Sequence, residues 1–130
     1  MARWLVKSDP DDYGFGDLER DRRTRWDGVA NALALRHLRA MAAGDDCLIY
    51  ETGKVKAAVG LARVAAAAVA KDGAPRVELE AVRRLAKPVS LAAIKADPAF
   101  ASFALVRQGR LSVMPVESPH WSRLLRLGEG

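Results

Sequence analysis

The residues of this sequence that bear chemistry are a few aromatics set among arginine-rich loops. Trp26 follows a basic run and precedes Asp27-Gly28. A tryptophan in such a turn can stack on a planar base, or it can simply plug the end of a sheet. Tyr50 ends an apolar segment just before Thr52-Gly53, so its ring can form a second wall with the hydroxyl as a polar handle. Asn31 carries an amide able to read the hydrogen-bonding edge of a base, and it is equally placed to cap a helix. Lys7 and Ser8 close the first apolar segment and project polar groups toward the same end of the sheet. The basic residues Arg20, Arg22, Arg23, Arg25, Lys54, Lys56, Arg107 and Arg110 fall in loops or at strand ends. Arginines beside an aromatic pocket suit the phosphates that flank a captured base, although each alone reads first as a solvated charge.

Catalytic constellations are missing. There is no Gly-x-Ser-x-Gly elbow and no His-Glu-x-x-His, and Gly53-Lys54 lacks the rest of a phosphate-binding loop. Cys47 lies in an apolar strand and reads as a small core residue rather than a nucleophile. His37 and His120 are far apart and give no zinc spacing with that single cysteine. Asp9, Asp11 and Asp12 do not follow the pattern of a calcium loop, and turn formation accounts for them. No cofactor, metal or catalytic residue is expected.

With 130 residues, one domain spanning 1–130 is expected. Half the residues are hydrophobic, enough for a packed core. No apolar run reaches the roughly 18 residues of a membrane span, and the N-terminus does not read as a signal peptide. A cytoplasmic protein that does not engage membranes is expected. Twenty-one Lys+Arg against 16 Asp+Glu give a net charge of +5, with arginine in the majority. That balance fits a nucleic-acid binder, and it fits a GC-rich coding bias equally well.

The elements follow from hydrophobic period. Arg3 to Lys7 reads as a strand with Trp4 and Val6 against Leu5, ended by the turn residues Ser8 to Asp12. Phe15 to Glu19 reads as a short helix, and the charged run Glu19–Arg25 as surface. Asn31 caps a helix predicted from Ala32 to about Ala43, with Gly44 as its C-cap. Cys47 to Tyr50 is a strand. Val55 to Ala70 is a long strand despite its alanines, because the turn Lys71–Pro75 and the alternating Val77–Ala81 beyond it form a hairpin. Gly60 inside that strand implies a bulge or a close backbone approach. Pro88 closes the segment, Leu91–Ala96 makes one or two helical turns, Leu111–Val116 a strand, and Pro119–Leu127 a terminal helix. The sum is an α+β domain on a mixed, barrel-like sheet.

Six stretches, in this order, resemble the EVE domain, a branch of the PUA-like superfamily of the thymocyte nuclear protein 1 type. They are WLVKSDP (4–10), WDGVAN (26–31), LRAM (38–41) with Gly44-Asp45, YETG (50–53), Val59-Gly60-Leu61, and LVRQGRLSVMPV (105–116). Together they span almost the whole chain, and the combination is specific. The resemblance implies a PUA-like mixed β-barrel of five to six strands flanked by short helices. Members of the family are regarded as readers of modified bases, similar to the YTH domains that hold a methylated adenine in an aromatic cage.

On that resemblance the partner is nucleic acid. Modified DNA carrying 5-methyl- or 5-hydroxymethylcytosine is favoured, with RNA as the alternative and an ASCH-type hydrolase of modified nucleosides as a remoter one. The protein partner is unknown: a free-standing reader without a nuclease or methylase domain needs one, or acts as a sensor. Trp26 would be the cage wall. Lys7, Ser8 and Asn31 would supply polar contacts, Tyr50 and Thr52-Gly53 the rim, and Arg107, Arg110 and Ser112 the mouth. Arg22, Arg23, Arg25, Lys54 and Lys56 would meet the nucleic-acid backbone. Two positions depart from the family pattern: Asp9 stands where Glu is usual, and Glu51 where His is frequent. A carboxylate at 51 would weaken phosphate binding at the mouth unless Lys54 or Lys56 paired with it.

Overall fold

A computed structural model describes residues 2–129. Its strands are β1 (Arg3–Ser8), β2 (Arg23–Trp26), β3 (Asp46–Glu51), β4 (Ala57–Val69), β5 (Pro75–Ser90) and β6 (Val113–Pro115). They form one mixed sheet in the order β2-β5-β4-β3-β1-β6. Only β1 and β3 run parallel; the other ladders are antiparallel. The helices are α1 (Pro10–Tyr13), α2 (Phe15–Asp21), α3 (Ala32–Ala40), α4 (Leu91–Ala96), α5 (Ala104–Arg107) and α6 (Ser118–Glu129), with a 3₁₀ turn at Pro98–Phe100. This is the expected α+β class with six strands and short helices. The ladder is open, with β2 and β6 as its edges. α3 nevertheless packs against both β5 and β6, which have three strands between them, so the sheet curls around that helix.

The core sits inside the curl. Leu5, Leu38, Leu48, Leu79, Phe100, Met114 and Leu124 are among its buried members. Trp4, Leu5 and Val6 are all buried, so the expected inward–outward alternation of β1 does not hold. A strand covered on both faces needs no polar side. Asp45 is buried as well, and it is fully employed: it accepts hydrogen bonds from Trp4 Nε1 at 3.0 Å, Ala2 N at 3.2 Å and Ala42 N at 2.9 Å. One carboxylate therefore ties the start of β1 to the turn after α3.

Gly60 answers both halves of its expectation. The β4–β5 register shifts between Ala58 and Gly60, and a Cβ on Gly60 would overlap the Phe15 ring. The alanine-rich segment is strand as read, because β5 pairs along it from Leu79 to Pro75. Pro88, by contrast, does not end β5, which continues to Ser90. The pairing skips from Gly60–Arg84 to Ala58–Val89, so Pro88 lies in an irregular stretch where its missing N–H is tolerated.

Three further boundaries differ. The run Glu19–Arg25 is not featureless surface, since Arg23–Trp26 pairs with Glu80–Val77 as β2. Its polar side chains conceal an edge strand with one exposed face. α3 ends at Ala40, and Gly44 serves a separate turn at φ +94° rather than the helix C-cap. Asp9 caps the one-turn helix α1 by accepting from Asp11 N at 2.9 Å, so the acidic cluster forms helix where turn was expected.

Candidate nucleic-acid interface

Where β1 ends, its last residues open into a cleft of about 480 Å³. Ser8 and Lys7 form one side and Ser112 adjoins them, because Lys7 N donates to Ser112 O at 2.8 Å. Trp26, at the end of β2, lines the same cleft with Thr24 and Arg25, and the loop Asp27–Ala30 continues the lining. Tyr13, at the end of α1, completes the corner. Its ring meets Trp26 edge-on, with centroids 6.4 Å apart and planes at 82°. Such an edge-to-face pair holds the indole in place without covering both its faces. The Tyr13 hydroxyl donates to Asp21 Oδ2 at 2.9 Å, and burial above all raises its pKa, so the phenol stays neutral.

Ser8, one of the residues lining this cleft, has an unusual hydroxyl. It is buried and has no hydrogen-bond partner within the described protein. An unmet buried hydroxyl costs about 1–3 kcal/mol, which a bonded ligand would return. The Ser8 carbonyl, by contrast, is satisfied by Thr52 N at 2.9 Å and by Thr52 Oγ1 at 3.3 Å.

A second, smaller cleft of about 220 Å³ lies on the other side of Lys7. Tyr50, Thr52 and Gly53 line it, together with Lys56, Lys95 and Gly109. Lys7 is the residue common to both clefts. Its Nζ donates to Gly109 O at 2.8 Å and stands 5.8 Å from the centre of the Tyr50 ring. Burial lowers the Lys7 pKa from its ordinary value and raises that of Tyr50.

The structure thus gathers Lys7, Ser8, Trp26 and Ser112 around one cleft and places Tyr50, Thr52 and Gly53 in the other. Asn31 lines neither; it caps α3 by accepting from Ala34 N at 3.0 Å. Of the basic residues, Arg25 lines the first cleft and Lys56 the second. Arg23 is engaged by Glu78 at 2.7 Å, and Arg20 by Asp17 and Asp21. Arg22, Arg25, Lys54, Lys56, Arg107 and Arg110 are exposed and make no ion pair among the described residues.

Glu51 is engaged at the start of α2 and not by a lysine. Its Oε2 accepts from Phe15 N at 2.8 Å, and neither Lys54 nor Lys56 pairs with it. Beside it, Asp17 Oδ2 accepts from Gly14 N at 2.7 Å, so two carboxylates satisfy the first donors of α2. Sequence reasoning passed over Tyr13, Asp12 and Thr24, all of which line the first cleft. With aromatics at only 6%, a second aromatic thirteen residues before Trp26, in a turn of its own, was the available signal.

Cys47 is fully buried in β3, and burial pushes its thiol pKa far up, as suits a core residue. His37 is half-buried beside the Trp4 ring at 6.0 Å. Among the described residues no cluster of His, Cys, Asp and Glu could hold a metal ion, and no helix is long and apolar enough to cross a membrane.

A curled mixed sheet of six strands flanked by short helices is the α+β architecture that the resemblance to PUA-like domains implies. The model of the EVE domain matches residues 2–127, and the chain belongs to that family. No curated protein matches the sequence significantly. Among solved structures, Rpa0253 of Rhodopseudomonas palustris is 34% identical with a TM-score of 0.91, covering 98% of this chain and 93% of its own. Human THYN1, solved in complex with DNA containing 5-methylcytosine, has the same fold at a TM-score of 0.91 and 24% identity, covering 100% and 99%. An ASCH protein from Zymomonas mobilis lies further off, at a TM-score of 0.62 and 14% identity over 97% and 95%.

Proposed function

We propose that this domain is a non-catalytic nucleic-acid binder that holds one modified base, a modified cytosine of DNA, in the cleft between Trp26 and Ser8. The observation that carries this reading is that one cleft is lined by the Trp26–Tyr13 pair and by Ser8, whose buried hydroxyl has no partner within the described protein. A flat aromatic wall and an unmet polar group lining one cleft suit a planar heterocycle with a hydrogen-bonding edge. The cleft volume lies within the roughly 300–1,000 Å³ usual for small-ligand sites. Family membership and the likeness to THYN1, itself solved with methylated DNA, support the choice of partner.

The energetics require help from phosphates. Flipping a base out costs a few kcal/mol, and stacking returns about 1–3 kcal/mol. Unpaired Arg22, Arg25, Arg107 and Arg110 are available for the remainder, which makes binding steeply salt-dependent. The test is an anisotropy titration with matched duplexes carrying cytosine, 5-methylcytosine or 5-hydroxymethylcytosine at one position. A preference for a modified duplex that persists at physiological salt is expected, and it should disappear in Trp26→Ala while the fold is kept. An unchanged ratio of affinities in that variant excludes this cleft, and stronger binding to the matched RNA would transfer the reading to RNA through its 2′-hydroxyl.

A further inference from the structure

The second cleft carries charge that the base-binding reading leaves unused. Lys7, Lys56 and Lys95 all line it, and no acidic residue does. None of the three makes an ion pair among the described residues. Lys7 reaches only a neutral partner, the Gly109 carbonyl. Glu51, which follows Tyr50 in the chain, is occupied at Phe15 N.

The backbone also holds this arrangement against its preference. Lys56 has φ +47°, a conformation that favours glycine or asparagine, and its carbonyl accepts from Leu91 N at 2.8 Å. That bond joins the Lys56 turn to the start of α4, which bears Lys95. Strain of this kind persists only where surrounding structure enforces it. Leu91, Leu105 and Val106 complete the lining with apolar surface.

We propose that this second cleft is a phosphate-binding subsite in which Lys7, Lys56 and Lys95 converge on one phosphate. Because Lys7 borders both clefts, the natural source is the backbone phosphate next to a base seated against Trp26. That choice of source rests on the function proposed above; the affinity for phosphate does not.

The experiment follows backbone amides of isotope-labelled protein by NMR as inorganic phosphate is added. Saturating shifts are expected at Gly53, Lys56, Lys95 and Gly109, and they should be lost in the Lys56→Gln/Lys95→Gln variant. Absence of saturating shifts at these positions overturns the subsite. Displacement of phosphate by a duplex assigns the site to a nucleic-acid backbone, whereas persistence assigns it to a free anion. For duplex binding, the same variant should lower the slope of log K against log salt by about one, the loss of one phosphate contact, and leave the ratio of modified to plain affinity unchanged. Equal affinity for modified and plain duplexes would refute the base-reading function and leave the phosphate result standing.

Discussion

The ring of Phe15 rests on the bare backbone of Gly60, where any β-carbon would overlap it. Phe15 opens α2 and is fully buried, and Gly60 lies at the irregular stretch of β4. This contact seats the helix on the sheet. Glycine in a strand ordinarily weakens it, so alanine there would be expected to stabilise the protein by roughly 0.5–1 kcal/mol. Here the overlap outweighs that gain. Gly60→Ala should destabilise by about 1–3 kcal/mol in urea denaturation, and adding Phe15→Leu should recover part of the loss. A neutral Gly60→Ala would mean that the ring moves aside freely.

Glu51 holds the other end of the same arrangement. Its carboxylate serves the first N–H of α2 and forms no ion pair with the basic residues of the interface. Glu51→Ala should therefore cost about 1–2 kcal/mol of stability and leave the salt dependence of DNA binding unchanged. A steeper salt slope in this variant would show that the carboxylate does reach the phosphates.

Lys7 gives the subsite a pH signature. Burial holds its pKa below the ordinary lysine value of 10.5 in the folded protein. The burial penalty on the charged form is thus present in full at neutral pH. It is relieved as pH rises from the folded pKa toward 10.5, so Lys7 contributes a gain in stability over that interval. Phosphate affinity should move the opposite way and fall as pH rises through the folded Lys7 pKa. The groups around it are Lys56, Lys95 and Tyr50 in the second cleft and Asp9, Asp12, Tyr13, Arg25 and Asp27 in the first. Lys7→Arg, which does not deprotonate, should abolish the alkaline loss. A loss identical to wild type would assign it to another of these groups.

Cys47 should be inert to a thiol reagent at pH 8 until the protein unfolds, because its thiol is buried and its pKa is raised. The rate of labelling under native conditions then reports opening of β3. Fast labelling without denaturant would contradict the close packing of that strand.

Much of the fold was legible because its longest signals are periodic or chemically specific. Val77 to Ala81 alternates, the Lys71–Pro75 turn reverses the chain, and together they overruled the helix propensity of the alanines. Asn31 announced the start of α3. β2 was not legible: a four-residue edge strand with one exposed face presents arginine, threonine and arginine, the same types a loop would use. The division of the site was equally hidden. Ser8 and Tyr50 sit close to one another, with Tyr50 paired to Lys7 across the β1–β3 ladder. Successive side chains of a strand point to opposite faces, and that places neighbouring residues in different cavities. Tyr13 entered the first cleft only through the tertiary position of a single helical turn, for which four residues carry no periodic signal.

The two sides of the Trp26 cleft are not equally fastened. Lys7 and Ser8 belong to β1, which has β3 on one flank and β6 on the other. Trp26 ends the outermost strand and is laced to β5 alone. One wall of the cleft is thus held by strands on both flanks, and the other by a single strand and the Tyr13 ring. In the function proposed above, the first wall supplies the hydroxyl that would set the hydrogen-bond register, and the second the ring, whose contact tolerates small changes in spacing. On that same proposal, a base larger by a methyl or hydroxymethyl group would be met by a shift of the indole, while the polar reference point stays where β1 holds it.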